Sequence, residues 1–289
     1  MSVSESERCS DLVELLRSHA ARQPGKRAFT FLQDEAELAH LSYRELDRRA
    51  RAIAAALQDT RAAGERALLL YPPGLDFISA FFGCLYAGVV AIPAPLPDPV
   101  RLKRTLPRLQ ALVDDAQASL VLTDSRNSTA IAESGSLPSL RLMATDPLAG
   151  GDACERLAAR WQPPGIDDDT LAYLQYTSGS TSAPKGVMVS HGNLMRHCAH
   201  IRRAWDYRAD SIAATWLPHF HDYGLVDGLI QPLYTGASAF VMSPVAFYMR
   251  PVRWLRTISR HAVTHSQGPN FAFEHCVDKI KPEQCTGLD

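Results

Sequence analysis

The chain has 289 residues, of which 46% are apolar and 21% are charged. This length and composition are typical of a globular protein with a large hydrophobic core, and we expect two α/β subdomains, residues 1–165 and residues 166–289. The formal net charge of −1 gives no global signal for binding to nucleic acid or to an anionic membrane surface.

The cysteines are scattered and form no C-x-x-C pair; they are Cys9, Cys84, Cys154, Cys198, Cys276 and Cys285. This spacing argues against a zinc ribbon, a redox motif or a secreted disulfide framework. Residues 1–12 lack the basic segment followed by an apolar segment that marks a secretory signal peptide. We therefore expect reduced thiols and a cytoplasmic protein.

In the first half of the chain, the apolar spacing predicts alternating helices and strands. A helix is expected over residues 11–23, and the sequence SYRE beginning at Ser42 is a capping box that opens a helix reaching about residue 58. Strands of mainly apolar residues are predicted at 28–33, 66–71, 119–123 and 140–143.

The uncharged segment 77–92 requires a test for membrane insertion. It is shorter than the roughly 20 residues that a spanning helix needs, so no membrane span is predicted. We expect instead a buried helix over residues 75–87, a stop at Gly88 and a core strand over 89–92.

Two later segments are predicted to connect elements. The proline-rich residues 93–99 favour an extended connection, which is followed by a helix over 100–117. Residues 150–169 contain Gly-Gly, Pro-Pro-Gly and Asp-Asp-Asp sequences. These favour a linker or long loop, and we place the subdomain boundary there.

From residue 171 onward the alternation continues and predicts a mostly parallel sheet covered by helices. The predicted helices lie at 192–205, 225–234, 251–261 and 271–279, and the predicted strands at 171–176, 187–190, 211–217, 237–242 and 262–267. In such sheets ligands bind beyond the carboxyl ends of the strands. Three turns there carry polar or glycine residues, at Thr177, at 219–224 and at 268–270.

The first of these turns consists almost entirely of hydroxyl residues and glycine: Thr177, Ser178, Gly179, Ser180, Thr181 and Ser182. Backbone N–H groups can approach a ligand closely at glycine, and the hydroxyls can donate hydrogen bonds to it. Lys185 adds a positive charge that suits phosphate oxygens. The composition therefore predicts a phosphate-binding loop.

A solvated loop between two strands is the competing interpretation of the same composition. The loop is not a Walker P-loop, because Lys185 is followed by Gly186 and Val187 and no helix begins there.

The second turn contains the sequence HFHD, from His219 to Asp222. Alternate residues of an extended segment face opposite ways, and no third ligand is spaced nearby, so a metal site is not predicted. A hydrogen-bonded loop histidine stays open as an interpretation of these residues.

The segment TSGSTSAPKGVMVSHGNL resembles the signature of the adenylate-forming, or AMP-binding, superfamily. Three later segments resemble its fatty acyl-AMP ligase branch: WLPHFHDYGLVDGLIQPLYTG, VMSPVAFYMRPVRWLRTISRH and THSQGPNFAFEHC. The resemblance implies an α/β fold of mostly parallel sheets flanked by helices. Tyr223 and Asp227 stand where the family pattern leads us to expect an apolar residue and a small one, which suggests an unusual acyl-chain preference.

The resemblance implies an enzyme that joins a fatty acid to ATP in the presence of Mg²⁺ and releases pyrophosphate. The acyl group then passes from the acyl adenylate to the phosphopantetheine thiol of an acyl carrier protein. The implied site residues are the catalytic Lys185 and His221, the ATP-binding loop residues 177–182, and the substrate-binding His221, Asp222, Gly268 and Pro269.

In the family, the motifs that hold adenine and ribose and the C-terminal domain with its catalytic lysine follow the region at which this chain stops. We therefore expect the N-terminal portion of a larger enzyme, with little activity alone. An acyl-CoA synthetase, an amino-acid adenylation domain and a non-catalytic remnant of the fold stay open as alternatives.

Overall fold

The structure is a computed structural model that describes residues 8–97, 102–177 and 184–289. Its strands are β1 (Arg27–Gln33), β2 (Ala36–Ser42), β3 (Arg66–Leu70), β4 (Val90–Ala94), β5 (Leu120–Thr123), β6 (Arg141–Ala144), β7 (Leu171–Thr177), β8 (Lys185–Ser190), β9 (Ile212–Thr215), β10 (Ser238–Met242) and β11 (His265–Ser266). Its α-helices are α1 (Leu12–Arg22), α2 (Tyr43–Asp59), α3 (Leu75–Ala87), α4 (Leu102–Ala116), α5 (Ser125–Ser134), α6 (Gly151–Ala158), α7 (His191–Ala204), α8 (Gln231–Thr235), α9 (Pro244–Met249), α10 (Val252–Arg260) and α11 (Asn270–Lys279). Short 3₁₀ turns lie at Asp146–Leu148 and Pro282–Cys285, and a π-helix spans Tyr223–Ile230.

The strands form two sheets. Sheet A has the order β11-β9-β10-β1-β2, and sheet B has the order β6-β5-β3-β4-β7-β8. Neighbouring strands run parallel except at one edge of each sheet, where β2 pairs antiparallel with β1 and β8 pairs antiparallel with β7. This arrangement confirms the predicted α/β class with mostly parallel sheets flanked by helices.

Sheet membership does not follow the predicted boundary at residue 165. The early strands β1 and β2 belong to sheet A with β9, β10 and β11, whereas β7 and β8 complete sheet B. Phe29 of β1 lies opposite Ala239 of β10, so residues far apart in the chain share one sheet. The division into subdomains at that residue stays a prediction.

Helix α3 is almost completely buried, as its apolar sequence indicates. All of its residues except Asp76 are buried, and it ends at Gly88 before β4 begins, as expected. An all-round apolar helix of this length fits the interior of a globular domain. Among the described residues, no helix is long and apolar enough to cross a membrane.

Several segments differ from the sequence prediction, among them helices α5 and α9, which it does not contain. The predicted loop at 150–169 contains helix α6, whose Cys154 and Ala158 are buried against Ala52 of α2. The hydrophobic stripe of this helix is too short to give a clear helical periodicity between the flanking glycines and prolines. Strand β2 was missed because five of its seven residues are exposed and give no apolar alternation.

Candidate active site

The predicted phosphate-binding loop leaves sheet B at the hairpin of β7 and β8. Thr177 pairs with Lys185 across the hairpin, and both residues are exposed. The remaining predicted loop residues lie outside the described part of the chain: Ser178, Gly179, Ser180, Thr181 and Ser182. The described ends of the loop therefore bring one hydroxyl and one ammonium group to the same edge of the sheet.

Gln175 connects this hairpin to the turn that follows β9. Its side chain lies in the core near the end of β7, and its Nε2 donates a hydrogen bond of 3.0 Å to the backbone carbonyl of Phe220. The carbonyl oxygen of the Gln175 side chain has no partner among the described residues. Sequence analysis missed this residue, although a glutamine inside the apolar strand LAYLQYT is an available signal.

The turn after β9 presents His221 to solvent, with 65% of its side chain exposed. Its Nδ1 lies 2.6 Å from Asp222 Oδ1, and the same oxygen accepts the backbone N–H of Tyr223 at 2.7 Å. Asp222 thereby caps the π-helix that begins at Tyr223. The backbone N–H of Tyr223 also donates to His221 Nδ1 at 3.3 Å, so the neutral ring carries its proton on Nε2, which can donate to a ligand.

Whereas His221 is exposed, His219 is buried. Only 6% of its surface is exposed, and its ring stacks on Phe77 with 4.0 Å between the centroids. Burial lowers the pKa of His219 to about 4, so the ring is neutral near pH 7. Its Nε2 has no hydrogen-bond partner among the described residues.

A small pocket of about 10 Å³ adjoins this buried histidine. It lies between the start of α3 and the carboxyl ends of β9 and β10, and is lined by Pro73, Gly74, Phe77, Ile78, Thr215, Leu217, His219, Leu229, Val241 and Met242. Its volume is that of roughly one water molecule. The side chains that line it are mainly apolar, so this end of sheet A offers an apolar surface close to the exposed His221.

A π-helix rather than an α-helix occupies the first part of the predicted helix 225–234. A Cβ atom at Gly224 would lie 2.1 Å from the carbonyl oxygen of Pro218, so only glycine allows the helix to begin this close to the turn. Such π-helical segments occur frequently at functional sites.

The π-helix carries the two residues that depart from the family pattern. Asp227 is half-buried, and burial together with the nearby Asp222 raises its pKa to about 6. Burial, with a contribution from Asp227, also raises the pKa of Tyr223. The Asp227 carboxyl group is therefore partly buried in the helix that follows the His221 turn.

Gly268 and Pro269 follow the carboxyl end of β11, another parallel strand of sheet A. A Cβ atom at Gly268 would lie 3.2 Å from the ring of Trp254 and 3.4 Å from that of Trp216, so this backbone packs closely on the aromatic cluster behind the turn. Pro269 lies at the start of α11. The structure therefore places Gly268 beside Trp254 and Trp216.

A larger groove of about 510 Å³ lies elsewhere, between the junction of α9 with α10 and the last helix. It contains none of the predicted site residues and is lined by Tyr248, Met249, Arg250, Pro251, Val252, His275, Lys279, Ile280 and Gln284. Within the described ranges, no group of three or more His, Cys, Asp or Glu side chains is arranged to hold a metal ion.

Comparison with known proteins gives the family. A family model described as AMP-binding enzyme matches residues 16–288. The medium-chain-fatty-acid–acyl-carrier-protein ligase JamA of Moorena producens is 59% identical over 281 residues, which are 97% of this chain and 48% of that protein. The chain spans about half the length of the curated relatives that it matches.

Solved structures give the same result. A fatty acid AMP ligase from Legionella pneumophila matches with a TM-score of 0.91 and 37% identity, covering 100% of this chain and 49% of that chain. A fatty acyl-adenylate ligase from the same organism, in complex with acyl adenylate and pyrophosphate, matches with a TM-score of 0.89, 37% identity and the same coverage. These findings confirm the resemblance and the fold that it implies, and the chain belongs to the AMP-binding enzyme family.

Proposed function

We propose that this chain forms the ATP- and fatty-acid-binding part of a fatty acyl-AMP ligase. In the proposed reaction a fatty acid carboxylate attacks the α-phosphorus of ATP, the bond to the β-phosphate oxygen breaks, and pyrophosphate leaves. The resulting acyl adenylate transfers its acyl group to the phosphopantetheine thiol of an acyl carrier protein. The 59% identity to a medium-chain ligase favours a medium-chain fatty acid as the substrate.

The hydrogen bond from Gln175 to Phe220 is the observation that carries this proposal. It joins the hairpin that ends at Thr177 and Lys185 to the turn that holds His221, so a phosphate site and a carboxylate site would lie next to each other. Two substrates held side by side react without the entropy cost of a bimolecular encounter. The proposed rate enhancement therefore rests on positioning and on charge.

The described side chains supply specific parts of this chemistry. The Lys185 ammonium is exposed at the loop end, where it would offset charge on the phosphate oxygens. The His221 ring, whose Nδ1 accepts the backbone N–H of Tyr223, would meet the fatty acid carboxylate through Nε2. Gly268 would support the acyl side through its packing beside Trp216, and Pro269 through its place at the start of α11.

The proposal includes Mg²⁺ and a cytoplasmic location. When bound, Mg²⁺ would spread the negative charge of the ATP phosphates, and no described residue is proposed as its ligand. All six cysteines are free thiols, and three of them are buried, which fits a reducing compartment.

Pyrophosphate exchange tests the proposal. Residues 1–289, alone and fused to the second half of the Moorena producens relative, would be assayed for ATP–pyrophosphate exchange with octanoate. We expect octanoate-dependent exchange from the fusion and little or none from residues 1–289 alone. A fusion that folds and binds ATP but shows no octanoate-dependent exchange would refute the proposed reaction.

The acceptor thiol separates the proposed ligase from an acyl-CoA synthetase. The same fusion would be given carrier protein or free coenzyme A after adenylate formation, and we expect acyl transfer to the carrier protein. Equal transfer to coenzyme A would contradict the fatty acyl-AMP ligase assignment.

Loop variants test the phosphate-binding role of the hydroxyl residues. Replacing Ser180 and Thr181 by alanine in the fusion should slow adenylation roughly 10²-fold, as expected when preorganised donors to developing charge are lost. Ser243→Ala serves as the control, because this hydroxyl caps α9 away from the hairpin. An unchanged rate in the loop variant would make the loop an ordinary solvated turn.

A further inference from the structure

The base of the β7–β8 hairpin is made of two residue pairs. Tyr176 pairs with Gly186, and Thr177 pairs with Lys185 at the loop end. Strand β8 is the outermost strand of sheet B, so it has hydrogen-bonding contact with β7 on only one side. An edge strand of this kind needs additional contacts to fix its last residues.

The Tyr176 side chain lies directly over Gly186. A Cβ atom at position 186 would lie 2.8 Å from Tyr176 Cζ and 2.9 Å from its hydroxyl oxygen. Atoms cannot approach this closely without moving, so glycine here provides the space that the tyrosine ring fills. The ring in turn packs against the apolar cluster of sheet B and thereby covers the bare backbone of the edge strand.

The hydroxyl group of Tyr176 connects the hairpin to helix α4. It donates a hydrogen bond of 2.6 Å to Asp115 Oδ2 in the last turn of that helix. A hydrogen bond from a hydroxyl to a carboxylate at this distance is of the stronger, charge-assisted kind. Burial and the contact with Asp115 raise the pKa of Tyr176, so the phenol keeps its proton near neutral pH and remains a donor.

We propose that Tyr176, Asp115 and Gly186 form a positioning unit that holds Lys185 opposite Thr177 and so aims its ammonium group at the triphosphate. This inference rests on the proposed function. Tyr176 acts here as a positioning residue, because its hydroxyl is already engaged by Asp115 and its effect on the phosphate passes through Lys185. The unit would affect the binding of polyphosphate but not the binding of a fatty acid at the His221 turn.

The test measures two ligands on the 289-residue chain. Binding of inorganic tripolyphosphate and of octanoate would be measured by calorimetry for the wild type and for Tyr176→Phe, Asp115→Ala and Asp115→Asn. We expect the phenylalanine and alanine variants to bind tripolyphosphate about tenfold more weakly, as the loss of one charge-assisted hydrogen bond predicts. Octanoate binding should not change.

Two comparisons separate positioning from loss of charge and from misfolding. Asp115→Asn keeps an oxygen that can accept from the tyrosine hydroxyl, so it should restore tripolyphosphate binding to near the wild-type value. Asp114→Ala removes a neighbouring exposed carboxylate that does not contact Tyr176, and it is the matched control for charge. Backbone amide exchange of residues 185–187 should become faster in Tyr176→Phe and Asp115→Ala only.

The outcomes distinguish this inference from the proposed function. If the wild type binds tripolyphosphate and Tyr176→Phe binds it equally well, the positioning unit is refuted while the proposed function stands. Equal losses for tripolyphosphate and octanoate, or failure of Asp115→Asn to restore binding, would also refute it. If the wild type binds neither ATP nor tripolyphosphate, the proposed function fails and the positioning inference fails with it.

Discussion

The buried His219 predicts a specific dependence of stability on pH. Replacing His219 by phenylalanine keeps an aromatic ring against Phe77 but removes the titratable group. Because burial lowers the pKa of His219 to about 4 in the folded chain, the folded state binds fewer protons than the unfolded state between about pH 4 and pH 6.5. The wild type should therefore lose stability as the pH falls through this window.

The magnitude follows from the size of the pKa difference. A difference of about 2.5 pH units corresponds to about 3 kcal/mol at full effect, and little is screened because the ring is almost completely buried. At pH 4.5 the His219→Phe variant should therefore gain about 2–3 kcal/mol in free energy of unfolding relative to the wild type, compared with the difference between them at pH 7.5.

Urea unfolding followed by tryptophan fluorescence at several pH values measures this difference directly. His197→Gln is the matched control, because it removes an exposed histidine from α7. If His219→Phe and the wild type lose the same free energy of unfolding between pH 7.5 and pH 4.5, burial does not lower the pKa of His219, and the prediction is wrong.

Three further predictions concern residues around the same turn. Asp227→Asn should have the opposite pH dependence of stability, because a pKa of about 6 means that the folded chain holds the Asp227 carboxylate at a cost near pH 7. After allowance for partial exposure, urea unfolding should show the variant to be more stable than the wild type by about 1–2 kcal/mol at pH 7 and equally stable at pH 4. Gly224→Ala should cost about 3 kcal/mol or more in thermal unfolding, because its Cβ would collide with the backbone of Pro218; a cost below 1 kcal/mol would contradict the tight start of the π-helix. Gln175→Leu leaves the Phe220 carbonyl without its donor, so we expect the free energy of unfolding to fall by about 1–2 kcal/mol and amide exchange in the His221 turn to become faster. Unchanged amide exchange there would show that other contacts hold the turn.

Local signals predicted several helices and strands of the first half of the chain, although not β2, α5 or α6. The capping box at Ser42 forms both of its hydrogen bonds with Glu45, and α2 begins at the next residue. The uncharged segment 77–92 becomes the buried helix α3 followed by β4, because its apolar residues can be covered only in the interior. These elements are specified by residues close together in sequence, so periodicity and capping are sufficient to find them.

The arrangement of the candidate site could be predicted only in part. The strand ends that carry Thr177 and the His221 turn followed from β–α alternation, but the contact between them depends on how two separate sheets meet. Gln175 and Phe220 are 45 residues apart, and nothing local to either indicates the pairing. Likewise, the sequence HFHD does not reveal that His219 is buried on Phe77 while His221 is exposed, since α3 supplies that contact from far away in the chain.

The two sheets divide the proposed site into parts that can be perturbed separately. The phosphate side belongs to the edge hairpin of sheet B, where Tyr176 connects β7 to α4, whereas the acyl side belongs to the turn of sheet A, where His219 packs on α3. Gln175 connects the two sides through its hydrogen bond to the Phe220 carbonyl. A substitution at Tyr176 should therefore change the affinity for phosphate alone, and one at His219 should change the affinity for the fatty acid alone. A substitution at Gln175 should weaken both affinities, because it alters the relative position of two sites that must act on the same pair of substrates.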